Sequence, residues 1–198
     1  MRHRRSIVWL LLAAVLVSGC SSDPIPRPKG QLRLDLPDPG FVDWRCPQYG
    51  GEIPVYAEMR QKQAGARPGW YDLVFPGYKG TVHLTYRTVQ DDLDMLIEDA
   101  YEMRGKHQAK AIRIDQERIV RDSDRVFGTF FDVHGDVAAP MIFYLTDSST
   151  HFLYGALYFN SRPNSDSIAP VADRIRADMR HFAATLHWGA SDPSDGSR

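Results

Sequence analysis

The segment from residue 125 to residue 160 constrains the fold most, because it holds three apolar runs separated only by short turn sequences. We predict strands over residues 125–134, 140–146 and 151–160, joined by turn-forming residues. Apolar residues occupy both faces of these strands, so this part of the sheet is expected to be covered on both sides. Such short connections join antiparallel neighbours, which argues against a doubly wound parallel sheet.

Alternation of apolar residues with their neighbours predicts further strands nearer the N-terminus. One strand carries Leu32, Leu34 and Leu36, and the next carries Ile53, Val55, Ala57 and Met59. Pro54 cannot donate to a ladder, so we expect the second of these strands at a sheet edge. Residues 70–75 and 81–87 flank a Pro-Gly turn, and residues 111–114 begin a strand that can continue to residue 120.

Two helices are predicted from apolar residues at steps of three and four. The first begins after Thr88, whose side-chain oxygen suits a helix N-cap. Its stripe comprises Leu93, Leu96, Ile97, Ala100 and Met103. The stripe of the second helix comprises Ile168, Val171, Ile175, Met179, Phe182 and Leu186. We expect Arg174, Arg176 and Arg180 largely on its wet side, so replacing Arg176 with alanine should cost at most about 0.5 kcal/mol.

These elements predict a single α+β domain, mainly an antiparallel sheet with two principal helices. The order of an early hairpin, a long helix, a strand meander and a closing helix is analogous to the PsbP/Mog1-type α/β/α sandwich. An analogy of element order carries no function with it.

The first twenty residues predict where the chain is held. Arginines within the first five residues precede an apolar run over residues 7–17, which is too short to span a bilayer and suits the core of a signal peptide. Ser18-Gly19-Cys20 then resembles the end of a bacterial lipobox. This makes residues 1–19 a lipoprotein signal peptide and Cys20 the lipidated first residue of the mature chain. An ordinary secretory signal and an uncleaved anchor are the alternatives.

Composition defines the remaining organisation. Residues 20–30 alternate proline with polar residues, which favours an extended tether between the lipid and the domain. The domain is expected over residues 31–188, followed by a polar, disordered tail over residues 189–198. With 24 Lys and Arg against 25 Asp and Glu, the formal net charge is -1. We therefore expect no nucleic-acid partner.

The residues contain no clear signature of catalysis, metal binding or a cofactor. Residues 147–151 combine Asp, Ser, Thr and His, but a β-turn uses the same residue types, and the chain has no Gly-x-Ser-x-Gly motif. The histidines lack metal-ligand spacing, although a site assembled from dispersed residues stays open. Cys46 is expected as a small core residue, with an intermolecular disulfide or a reactive role as alternatives. We predict no enzyme activity, no cofactor and no metal.

Several stretches resemble one protein family. They are residues 135–148, 151–160 and 162–167 near the C-terminus, and residues 23–30, 34–37, 46–47, 52–57 and 78–80 before them. Together they resemble the gliding motility-associated lipoprotein family GldD over nearly the whole mature chain. The chain departs from the family pattern at Val17, where a lipobox more often has leucine, and in the tail after Trp188.

The resemblance implies a membrane lipoprotein needed for gliding over surfaces, in bacteria whose gliding machinery shares components with the type IX secretion system. It implies no enzymatic activity and no catalytic residue. The residues after Cys20 lack the acidic run that resembles a surface-export signal, so we expect the domain to face the periplasm from the inner or the outer membrane. The leading hypothesis is an accessory or scaffold lipoprotein with protein partners in that machinery. The alternative is a periplasmic binding module that holds a small apolar molecule or a cell-wall component between sheet and helix.

The loop over residues 135–140 and the connection over residues 160–167 are the predicted partner surface. Both are polar breaks beside buried strands, and the meander places them at the same edge of the sheet. The residues expected to contribute are Asp136, Ala138, Pro140, Asn164 and Asp166. The aromatic residues Trp70, Tyr71, Phe75 and Tyr78 could line a groove, although sheet core is the commoner role for such residues.

Overall fold

The computed structural model describes residues 40–62, 67–106, 110–160 and 165–189. Within these residues, ten strands form antiparallel sheets, and the chain also contains two α-helices. This arrangement confirms the predicted α+β class. The analogy to the PsbP/Mog1-type sandwich stays a prediction. The predicted signal peptide, Cys20, the tether, the strand at Leu32 and the tail beyond Gly189 lie outside the described residues.

The strands form two sheets. In chain order the elements are β1 (Phe41–Arg45), β2 (Tyr49–Pro54), β3 (Glu58–Gln61), β4 (Tyr71–Phe75), β5 (Gly80–Thr88), α1 (Leu93–Gly105), β6 (Ala111–Arg121), β7 (Val126–Gly135), β8 (Met141–Thr146), β9 (His151–Phe159), α2 (Ser165–Thr185) and β10 (His187–Trp188). Seven strands pair in the order β3-β4-β5-β9-β8-β7-β6, and the small sheet has the order β1-β2-β10. The meander of β7, β8 and β9 confirms the prediction for residues 125–160.

The large sheet is covered on both faces, as the apolar strands predicted. On one face, Ile175, Met179 and Phe182 of α2 join a core that also receives residues of the small sheet. On the other face, Leu96 and Ala100 of α1 pack on β7, β8 and β9. Neither described helix is both long and apolar enough to cross a bilayer.

The predicted strand over residues 53–59 is wrong, because the chain leaves one sheet and enters the other within it. β2 ends at Pro54, and the Ala57 N–H closes a turn by donating to the Pro54 carbonyl oxygen at 3.0 Å. The expected edge position is also wrong, since β2 lies between β1 and β10. Proline is tolerated there because β10 pairs with β2 only as far as Gly50.

The expected start of the first helix is wrong as well. Thr88 belongs to β5, where it pairs with His151 of β9, and α1 begins at Leu93. The residue before the helix, Asp92, makes no side-chain cap and instead accepts the Gln90 N–H at 2.8 Å. The long β5–β9 ladder therefore competes successfully with helix capping at Thr88.

The arginines of α2 do not lie on its wet side. The Arg176 side chain is 6% exposed, and those of Arg174 and Arg180 are also largely covered. Each guanidinium faces carboxylates, because Arg174 pairs with Asp178 while Arg176 and Arg180 both reach Asp132. Pairing with carboxylates of α2 and of the sheet therefore holds the three guanidinium groups against the protein surface.

Candidate functional site

The loop over residues 135–140 is held in one conformation by its own backbone. Gly135 has φ +124, and a Cβ atom there would lie 2.7 Å from the Lys110 carbonyl oxygen. The Val137 N–H donates to the Gly135 carbonyl oxygen at 2.9 Å. Val137 and Ala139 are buried, whereas Asp136 and Ala138 are exposed. The loop therefore anchors itself with alternate residues and presents the others to solvent.

A buried arginine fixes helix α2 to the end of this loop. Pro140 has no N–H, so the Val133 carbonyl oxygen opposite it lacks the donor that a ladder would supply. Arg176 replaces that donor, because its Nη2 lies 3.3 Å from the Val133 oxygen and 2.8 Å from the Pro140 oxygen. The Arg176 Nη1 donates to Asp173 at 2.6 Å, and its Nε lies 3.4 Å from an Asp132 oxygen.

A cleft of about 370 Å³ opens beside this clamp, between the start of β6, the end of β7 and the first turns of α2. Its apolar wall consists of Ile112, Val133, Pro140, Ile168, Ala169 and Ala172. The side chains of the two alanines are small, so they leave space between α2 and the loop. An aliphatic side chain from outside would therefore find apolar atoms on three sides.

The polar groups at the cleft already have partners within the protein. An Asp115 carboxylate oxygen lies 2.8 Å from Nη2 of Arg113 and 3.0 Å from Nε2 of His134. The Nη1 and Nη2 atoms of Arg176 donate to the Asp173 carboxylate and to the carbonyls described above, and its Nε makes only the ion-pair contact with Asp132. An apolar group could therefore enter the cleft without leaving a buried ionised side chain unpaired. Among these groups, no nucleophile lies beside a base.

The structure brings together part of the predicted partner surface. Leu157 of β9 lies opposite Met141 of β8, so β9 ends at the same end of the sheet as the 135–140 loop, as the meander predicted. Asp136 and Ala138 are exposed and Pro140 is buried against the cleft. Asn164 lies outside the described residues, and Asp166 belongs to α2 without a described side chain. Whether these residues bind a partner stays a prediction.

Sequence reasoning missed three components of the cleft. The sequence pattern assigns Ile112 to a strand, Ile168 to the helix stripe and Arg176 to the solvent-facing side of that helix. No local signal distinguishes an apolar residue that faces a cleft from one that fills the core. The sequence shows that Pro140 lacks an N–H, but it does not show that Pro140 lies close to Arg176 of α2.

Residues 147–151 connect β8 to β9 as a turn, which is the interpretation that the sequence favours over a catalytic cluster. Burial of Asp147 acts to raise its pKa, but N–H groups of His151, Thr150 and Ser149 donate to the carboxylate and lower the pKa below 3.8. His151 directs Nδ1 to the Tyr86 hydroxyl at 2.7 Å and stacks on Trp188. Turn geometry and packing therefore account for the presence of Asp147 and His151 in this segment.

The remaining candidates are mainly structural. Burial raises the pKa of the Cys46 thiol, which lies 3.3 Å from the Tyr49 carbonyl oxygen, and therefore favours the protonated form. Phe75 is fully buried, and the Trp70 Nε1 donates to the Tyr86 carbonyl oxygen at 2.9 Å. In the described part of the chain, no three His, Cys, Asp or Glu side chains are grouped to hold a metal ion.

A comparison with protein families gives one match. The family described as "Gliding motility lipoprotein GldD" matches residues 21–188, which include every described strand and helix and the whole cleft. No curated protein sequence matches the chain.

Proposed function

The chain belongs to the gliding motility lipoprotein GldD family, and from that premise we propose that it is a non-enzymatic accessory or scaffold component of the gliding and type IX secretion machinery. Membership of a lipoprotein family implies that it associates with a membrane through a lipid anchor. We further propose that Cys20 carries the lipid and that the domain faces the periplasm. A protein partner docks where the 135–140 loop meets α2.

The cleft between the loop and α2 is the observation that carries this proposal. Its walls are apolar, and at its rim Asp115 pairs with Arg113 and contacts Nε2 of His134. A partner can therefore bury an aliphatic side chain there without breaking an ion pair. The exposed Asp136 and Ala138 lie on the same loop and extend the surface.

The size of the cleft also supports the alternative of a small-molecule binding module. About 370 Å³ lies within the range of about 300–1,000 Å³ that is usual for such sites. Those sites enclose most of the ligand and add a few convergent polar groups. Here the cleft is open and its polar groups are occupied by one another, so a protein partner is the better fit.

Ala138→Arg tests the partner surface. Ala138 is exposed, so the new side chain should leave folding unchanged while its bulk and charge block docking. We expect gliding to be lost when this variant replaces the wild-type chain, with an unaltered melting curve in detergent. The matched control is Ala184→Arg, which adds the same side chain at an exposed position near the other end of α2. Normal gliding by Ala138→Arg would contradict the proposed surface.

Two more variants test the other parts of the proposal. Cys20→Ala should abolish incorporation of labelled palmitate, because the chain has no other cysteine at the cleavage site. Equal labelling of the variant would refute Cys20 as the anchor. Ser148→Ala should glide like the wild type, whereas lost motility in a folded Ser148→Ala chain would favour catalysis at the turn.

A further inference from the structure

Strand β6 is a long edge strand that has a neighbouring strand on only one side within the described residues. It spans eleven residues, Ala111–Arg121, and forms one end of the seven-stranded sheet. It pairs with β7 on one side, and no strand in the described ranges pairs with the other side. Such an edge presents a row of backbone donors and acceptors to any chain that can lie beside it.

The register identifies which backbone groups point outward. The Val133 N–H donates to the Pro140 oxygen at 2.9 Å, so the backbone groups of the adjacent residue Asp132 point away from β8 and toward β6. Asp132 lies opposite Asp115, whose backbone groups therefore point to β7. By alternation, the N–H and carbonyl groups of Ile114, Gln116 and Arg118 face the open side.

The side chains of β6 include exposed apolar residues beside the charged ones. Ile112 is 85% exposed and Val120 is 57% exposed, and they are two of the five exposed large apolar residues in the described part of the chain. The acidic residues are already occupied, because Asp115 pairs with Arg113 and Glu117 pairs with Arg180 at 2.6 Å. Arg118 is exposed and makes no ion pair with any described side chain.

The cleft lies at the start of the same strand. Ile112 and Arg113 line it, and it opens on the face of the sheet that α2 covers. Arg118 belongs to the opposite face, because it lies opposite Thr129, whose hydroxyl contacts Tyr144 beneath α1. A strand beside β6 would point successive side chains alternately toward these two faces.

We propose that β6 binds an extended segment of a partner protein by strand addition. The segment alternates aliphatic and acidic residues, with an aliphatic side chain in the cleft and a carboxylate near Arg118. Backbone hydrogen bonds to β6 supply much of the affinity, and the cleft and Arg118 supply the specificity. This inference rests on the proposed function, since it specifies how the partner engages the same surface.

Proline at an outward-facing position tests the backbone contribution directly. Gln116→Pro removes an outward N–H and leaves the hydrogen bonds between β6 and β7 in place, because edge strands tolerate proline on the open side. Gln116→Ala is the matched control, since both variants lose the side-chain bond to Tyr101 and only the proline variant loses the amide. Both are compared as full-length chains in gliding cells, with melting curves in detergent.

We expect Gln116→Pro to reduce gliding to the level of cells that lack the protein, while Gln116→Ala glides normally. If Gln116→Pro is unstable, Val120→Pro against Val120→Ala repeats the comparison, because Val120 also lies at an outward-facing position by the same alternation. Folded proline variants that glide normally would overturn strand addition. Lost gliding in Ala138→Arg would in that case leave the proposed partner surface intact, so the two failures are distinguishable.

Photo-cross-linking identifies what lies beside the edge. A benzoylphenylalanine at position 120, on the wild-type backbone, should form an adduct with a different protein, and Gln116→Pro should abolish that adduct. An adduct that contains only a second copy of this chain would overturn the proposal in favour of self-association. A second chain carries the same cross-linker at position 138, on the proposed partner surface. An adduct from position 138 without one from position 120 would also overturn the proposal.

Discussion

The Nη2 atom of Arg176 donates to the carbonyl oxygen of Pro140 at 2.8 Å, although the two residues are separated by 36 positions. The bond joins the middle of α2 to the end of the loop that lines the cleft. Because proline supplies no N–H to Val133, the arginine completes the hydrogen bonding of both carbonyl groups. The position of the cleft wall therefore depends on this side chain.

Arg176→Ala should lower the free energy of unfolding by about 3–5 kcal/mol, the usual cost of removing one member of a buried ion pair. The variant leaves Asp132 with one cation fewer and the two carbonyl oxygens without their donor. Denaturant unfolding of the full chain in detergent measures the change.

The control for this prediction is Arg45→Ala. Arg45 pairs with Asp43 at 2.8 Å, but both side chains are exposed, so the loss should be about 0–1 kcal/mol. Equal losses in the two variants would show that Arg176 contributes no more than a surface ion pair.

Phe182→Ala should cost about 3–5 kcal/mol, because the ring is fully buried between α2 and the sheets. The ring packs so closely on β2 that a Cβ atom at Gly51 would lie 3.0 Å from it. Val120→Ala is the control at an exposed position and should change stability by less than about 0.5 kcal/mol. Similar melting temperatures for the two variants would contradict the assignment of Phe182 to the core.

Sequence periodicity predicted the parts of the fold that depend on local pattern. The apolar runs of β7, β8 and β9 and the stripe of α2 each repeat within one element, so the sequence contains the information needed to assign them. The division of residues 53–59 between two sheets could not be predicted in this way. Both halves alternate correctly, and only the turn at Ala57 shows that they belong to different sheets.

The site was less predictable because its components are distant in sequence. The loop was recognisable from small and polar residues between two apolar strands, and the structure places it at the cleft. The position of Arg176 on the helix predicts exposure to solvent, because the sequence alone does not reveal the acceptors at Asp132 and Pro140. A charged residue on a helix flank is identifiable as buried only when its partners are known.

Tyr56→Phe should destabilise the fold by about 1–3 kcal/mol, because the Tyr56 hydroxyl donates to the buried Asp178 carboxylate. Burial raises the pKa of Asp178 above 3.8, while the hydrogen bond from Tyr56 and the charge of Arg174 oppose that rise. Loss of the hydroxyl should therefore raise the pKa of Asp178 further. Unfolding at neutral pH measures the cost.

Tyr78→Phe is the matched control for Tyr56. Its ring packs edge-on against Tyr56, with the ring centroids 5.8 Å apart, so the substitution removes a hydroxyl from the same aromatic group. The Tyr78 hydroxyl makes no hydrogen bond with any described residue, and its loss should have little effect. Equal effects of the two substitutions would contradict the role assigned to the bond with Asp178.

His151 should make stability depend on pH near neutrality. Burial lowers its pKa below the ordinary value of 6.5, and the nearby Asp147 carboxylate only partly offsets this effect. The unfolded histidine therefore binds a proton at a higher pH than the folded one. Its contribution to stability is complete well above pH 6.5 and falls as the pH decreases from there through the lower pKa of the folded state.

His151→Gln should flatten this part of the pH profile while retaining a polar group beside the Tyr86 hydroxyl. The groups around His151 are Asp147, Tyr86 and the Trp188 ring, and all three remain in the variant. Denaturant unfolding between about pH 8 and about pH 5 brackets the histidine range, and the slope should be smaller in the variant. All other histidines are the same in both chains, so any contribution from them cancels in the difference. Parallel profiles for the two chains would show that burial of His151 does not couple protonation to folding.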